Sequence, residues 1–77
     1  MVIKILSFGI LNGILPEEIT IQNEEIHLDS FQELLKEAYP LMAKYNFTVA
    51  VNHAIVNQNV ELKSGDVIAL MPPFSGG

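Results

Sequence analysis

A chain of 77 residues has room for one domain and none for a large active-site cleft. Hydrophobic residues make up 49% and mean hydropathy is +0.33, yet no uninterrupted apolar run approaches the roughly 18 residues needed to cross a bilayer. Nine acids against four lysines leave a net charge of −5, which argues against nucleic acid and favours a basic protein partner.

The N-terminal stretch Val2 to Phe8 is rich in β-formers. With Lys4 turned to solvent, a period of two buries Ile3 and Ile5 and puts Val2, Leu6 and Phe8 on the face of Lys4. One charge in such a run, with no small-residue cleavage site after it, reads as a strand rather than a secretory leader, so a cytoplasmic location is the default expectation. Asn12-Gly13 is a turn signal that either closes a hairpin or sits in a wider loop through Pro16. Ile19-Thr20-Ile21-Gln22 alternates, Asn23-Glu24 suits a turn, and Ile26-His27-Leu28 resumes the alternation, enough for one or two short strands.

Ser30-Phe31-Gln32-Glu33 has the form of a capping box, which predicts a helix start. Phe31, Leu34, Leu35 and Ala38 then form the stripe of a helix packed on a sheet, and Pro40 ends that helix at Tyr39. Leu41 to Tyr45 suits an irregular turn. Strand pattern returns over Phe47 to Asn52 and Ala54 to Val56, with a turn near Asn52-His53. Lys63-Ser64-Gly65-Asp66 reads as a tight turn before the last strand, Val67 to Met71. One helix against a mixed sheet makes an α+β roll over residues 1–71, followed by a flexible tail over 72–77.

Few side chains offer chemistry. Cysteine is absent, which excludes disulfides, thiolate metal sites and a persulfide-carrying side chain. His27 and His53 lack partners at ligand or triad spacing and read as surface or structural residues. Glu17-Glu18 and Glu24-Glu25 are adjacent pairs, which a strand points to opposite faces, so neither reads as a catalytic dyad. No nucleophile elbow and no Walker-type glycine loop is present, so the parts of a self-sufficient enzyme are missing.

The tail Pro72-Pro73-Phe74-Ser75-Gly76-Gly77 is the most informative segment. Two prolines favour a stiff, extended stalk, and two glycines make a strip thin enough for a narrow channel, so the tail reads either as a reactant offered on a free carboxylate or as a frayed terminus. With Ile68 and Leu70 turned inward, Val67, Ala69 and Met71 face outward, and a last strand beside the first brings Met71 near Leu6 and Phe8. That apolar patch at the root of the tail reads either as a protein interface or as a surface under a loop.

Taken together, Ile3-Lys4-Ile5-Leu6-Ser7-Phe8, the helix start at Ser30 to Leu34, Ala50-Val51-Asn52, Leu62 to Ala69 with its Gly65-Asp66, and the double-proline diglycine tail resemble the small, ubiquitin-like subunit of molybdopterin synthase, a MoaD-type sulfur carrier. The resemblance implies a ubiquitin-like β-grasp roll. It also implies that an adenylyltransferase of the ubiquitin-activating type uses MgATP to adenylate the Gly77 carboxylate, with no permanently bound cofactor and no metal site. A sulfur donor of the cysteine desulfurase or rhodanese type then converts the adenylate to a thiocarboxylate. The large synthase subunit, two copies with two of the small one, would hold the catalytic pocket and transfer the sulfur to cyclic pyranopterin monophosphate. In that scheme Gly77 is the reactant, Gly76 gives clearance, Pro72, Pro73, Phe74 and Ser75 guide the tail, and Phe8, Leu6 and Met71 meet the partner. Carriers for thiamine or transfer-RNA thiolation would use the same carboxylate, and a ubiquitin-like modifier would join it to a lysine instead.

Overall fold

The computed structural model describes residues 1–72. The expectations placed on Pro73, Phe74, Ser75, Gly76 and Gly77 lie outside the described residues.

Strand β1 spans Val2–Ser7 and buries Ile3 and Ile5 while Lys4 and Leu6 stay exposed, the alternation expected of a strand with one covered face. Of the two readings of Asn12-Gly13, the wider loop is the one adopted. A 3₁₀ turn at Gly9–Gly13 tucks Leu11 into the core before the chain returns as β2, Glu18–Thr20, antiparallel to β1 with Ile19 opposite Ile3.

The next strand, β3, is only Ile26–His27, and it pairs with β6, Glu61–Leu62, in a separate two-stranded ribbon. Helix α1 follows at once over Leu28–Ala38. Its start corrects the capping-box expectation: the helix begins two residues earlier than Ser30, with His27 as N-cap and no side-chain cap of its own. The first N–H groups are satisfied from across the chain, Leu28 N–H by the Val60 carbonyl at 2.7 Å and Asp29 N–H by Asn59 Oδ1 at 2.9 Å. The apolar stripe is also narrower than expected. Leu28, Phe31 and Leu35 are buried, whereas Leu34 and Ala38 are exposed along one margin. The helix stops before Pro40, which takes the first turn of a 3₁₀ segment, Pro40–Lys44, that buries Met42.

Strand β4 covers Thr48–Val51 and β5 Ala54–Ile55. The two residues between them, Asn52 and His53, have φ of +50° and +73°, the left-handed pair that a two-residue hairpin requires. The final strand, β7, is Val67–Met71 and lies in the middle of the main sheet, whose order is β2-β1-β7-β4-β5. It runs parallel to β1 and antiparallel to β4. Phe31, Leu35, Ile3, Ile68, Leu70, Leu11, Met42 and Leu62 fill the space between helix and sheet and are essentially inaccessible to water. The mixed sheet packed on one main helix is the α+β roll that the sequence pattern predicts, and the β-grasp roll that the resemblance implies.

Candidate docking face and tail root

The side of the sheet turned away from α1 is set by register. Leu6 lies beside Ala69, Ala69 beside Ala50, and Ala50 beside Ile55, so one apolar row crosses β1, β7, β4 and β5. Its ends project most: Leu6 is 44% and Ile55 63% exposed, whereas Ala50 between them is only 5% exposed. The small alanines make a shallow saddle between two large aliphatic posts, a shape that another protein's apolar side chain can fill. On one side of the row come Lys4, Val67 and Asn52, and on the other Met71 opposite Thr48.

Of the residues expected at an interface, Leu6 is on this row and Met71 is half-buried one register step away. Phe8 follows the end of β1, is 47% exposed, and donates its N–H to the Leu70 carbonyl at 3.1 Å. The three therefore gather where β7 leaves the sheet. Val67 and Ala69 do face outward but are half-buried, being flanked by strands on both sides. Ile55 was not anticipated as a site residue. The Asn52-His53 turn could have revealed it, because a two-residue hairpin pairs Ala50 with Ile55 and so puts Ile55 on the face of Ala69.

Gly9 is a second residue the sequence reading missed. It has φ of +64°, and a Cβ built there would stand 2.8 Å from Pro72 Cγ. The missing side chain thus leaves a notch in which the Pro72 ring sits as the chain leaves β7. Finding it requires knowing that β1 and β7 are neighbours in parallel register, which no local pattern states.

The opposite end of β7 is tied by a compact polar network. Asp66 Oδ2 accepts the Lys63 N–H at 2.8 Å and Oδ1 accepts from Asn52 Nδ2 at 3.0 Å. Asn52 Oδ1 in turn accepts the Val67 N–H at 2.9 Å. Gly65, with φ of +92°, lets the turn close and sends its N–H to the Val2 carbonyl at 2.8 Å. Asn52 and Gly65-Asp66 therefore fix the register of three strands. Among the described residues, no group of three or more His, Asp or Glu could hold a metal ion.

A small mixed sheet closed round one helix, with the chain leaving from the central strand past an apolar outer face, defines the ubiquitin-like class. A family model described as ThiS family matches residues 5–77. The chain belongs to the ThiS family of ubiquitin-like sulfur carriers. Among solved structures, it is similar to a chain in the protein-protein complex of subunits 1 and 2 of molybdopterin-converting factor from Helicobacter pylori 26695, with 30% identity, all of both chains covered and a TM-score of 0.66. It also shares its fold with SAMP1 from Haloferax volcanii, at 18% identity over all of both chains and a TM-score of 0.76. No helix among the described residues is long and apolar enough to cross a membrane.

Proposed function

We propose that this sulfur carrier serves as the small subunit of a molybdopterin synthase, with sulfur carried on the carboxylate of Gly77. The observation that carries the reading is the 30% identity, over all of both chains, to a chain of the molybdopterin-converting factor complex. The saddle between Leu6 and Ile55 supports it as a seat for a large subunit, because apolar outer faces of this kind are buried on association.

The chemistry follows from the carboxylate. A Gly77 oxygen attacks the α-phosphorus of MgATP on an adenylyltransferase of the ubiquitin-activating type, and pyrophosphate leaves. The acyl adenylate is then open to a sulfide-level sulfur from a desulfurase- or rhodanese-type donor. Attack at the acyl carbon expels AMP, and where the sulfur arrives as a persulfide a thiol reductant supplies the two electrons that free it. Gly77 offers no side chain to obstruct either attack, and Gly76 keeps the approach narrow. Pro72, Pro73, Phe74 and Ser75 guide the strip into the large subunit while Leu6, Phe8 and Met71 seat the domain. Two sulfurs make one dithiolene, so two small subunits serve two large ones in a heterotetramer. A cytoplasmic setting supplies the ATP that this cycle consumes.

The test is the intact mass of the protein after incubation with its cell's adenylyltransferase, MgATP and a sulfur source, followed by addition of the large subunit and cyclic pyranopterin monophosphate. Exchange of one oxygen for sulfur at Gly77, then loss of that sulfur as the dithiolene forms, is the expected result. A thiocarboxylate that the large subunit leaves untouched would move the chain to thiamine or transfer-RNA thiolation. A ladder of amide-linked conjugates would make it a modifier.

A further inference from the structure

A second surface lies on the far edge of the sheet from β5, on the outer side of β1. Strand β2 is an edge strand. Its bonding partners can be assigned from the ladder: Ile21 N–H donates to the Met1 carbonyl and Ile5 N–H to the Glu17 carbonyl, each at 2.8 Å. Because antiparallel pairs alternate, Glu17, Ile19 and Ile21 turn their backbone groups toward β1, and Glu18 and Thr20 turn theirs outward. The outward pairs of N–H and C=O have the spacing that an added strand needs.

Beside this edge runs an apolar groove lined by Ile19, Ile21, Phe31, Leu34, Leu35 and Ala38. It exists because Leu34 and Ala38, on the margin of the α1 stripe, overhang the edge without a covering strand; Leu34 is 43% exposed. The rim is acidic. Glu33 and Glu37 flank Leu34 and Ala38 on the helix, Glu18 lies on the edge strand, and Glu24 and Glu25 follow Asn23, which lines one end. Two cations lie on this side of the sheet, Lys4 opposite Glu18 and the Met1 ammonium, which donates to the Ile21 carbonyl at 2.6 Å and the Asn23 carbonyl at 3.4 Å.

We infer that the β2 edge and its groove bind an extended peptide segment of a partner protein, apolar at alternate positions and carrying lysine or arginine between them. The period of the strand dictates this chemistry. In a segment added to β2, side chains on the core side of the sheet lie over Leu34 and Ala38, where only apolar groups match. Those on the opposite side stand beside Glu18, where a cation matches. Main-chain bonds to Glu18 and Thr20 hold the segment, the groove selects its alternate residues, and the acidic rim selects its sign. Glu18 shares a hollow with Leu6 and Phe8, so the cationic side of the segment reaches the margin of the outer face. The inference is independent of which sulfur acceptor the carrier serves.

The test is a titration of the isotope-labelled chain with a capped synthetic peptide in which valine or isoleucine alternates with lysine, read by amide chemical shifts. Expected are shifts at Glu18 to Asn23 and Leu34 to Ala38, with affinity falling as salt rises. A variant peptide with glutamate in place of lysine, and the protein variant Leu34→Glu, should each bind about ten-fold more weakly or worse, the equivalent of roughly 1.4 kcal/mol. The double variant Glu33→Lys, Glu37→Lys, at exposed positions, gives a second test should Leu34→Glu disturb folding, and is expected to flatten the salt dependence. Equal binding of a scrambled peptide with its lysines at one end would overturn the proposal, as would shifts confined to the Leu6 and Ile55 face or no shift at millimolar peptide.

Discussion

Gly9 and Pro72 meet where the chain leaves the sheet, and two separate constraints act at that contact. The φ of +64° disfavours any residue with a Cβ, and the 2.8 Å approach to Pro72 Cγ leaves that Cβ no room. Gly9→Ala is therefore expected to cost about 1–2 kcal/mol through backbone strain alone, and more if the proline cannot shift. Thermal melting of Gly9→Ala beside the double variant Gly9→Ala, Pro72→Ala separates the parts: the double change should recover the steric share and leave the strain. Phe8, one residue earlier, is different in kind. It is 47% exposed and its backbone, not its ring, makes the bond to Leu70. Phe8→Asp is expected to weaken docking to an outer-face partner about ten-fold or more while lowering the melting temperature only slightly. Calorimetric titration beside a melt decides this; normal binding with a large drop in melting temperature would make Phe8 a core residue.

At the level of elements, α1 shows what a local pattern can and cannot disclose. The spacing of Phe31 and Leu35 and the stop before Pro40 were legible because each depends on residues within a turn or two. The start was not. Ser30 and Glu33 have the form of a cap, but the N–H groups they would serve are displaced by the earlier start at Leu28, and the Asp29 N–H takes its acceptor from Asn59, thirty residues along the chain. Asn59→Ala is accordingly expected to cost about 1 kcal/mol, and Ser30→Ala to be near neutral, by chemical denaturation. The opposite ranking would restore the capping box. The same reason explains why β6 was missed and β3 seen only as a fragment: two residues cannot show a period, and each is a strand because the other lies beside it. By contrast β1, β4 and β7 run four to six residues with one face covered, so alternation announced them. For the site, Leu6, Phe8 and Met71 could be read from that alternation. Ile55 and Gly9 depend on pairing between strands, and the roles given to Pro73 through Gly77 rest on resemblance and lie outside the described residues.

At the scale of the whole molecule, the packing that supports the fold lies among the described residues, whereas the chemistry proposed for Gly77 lies outside them. The core is assembled by Met1 through Leu70, and the side chains that fill it are Phe31 and its aliphatic neighbours. Removing Gly77 is thus expected to abolish sulfur loading, measured by intact mass, with the melting temperature unchanged. Sulfur transfer by the shortened chain would sink the proposed mechanism.

The parallel placement of β1 and β7 has a mechanical consequence. A partner that grips the chain beyond Pro72 pulls along β7, and β7 is bonded to β1 on one side and β4 on the other. Tension is then spread across both ladders as shear, with many bonds loaded at once, instead of peeling one strand away bond by bond. Such a domain resists unravelling when it is pulled from that end, which suits the cycle of loading and release proposed for Gly77.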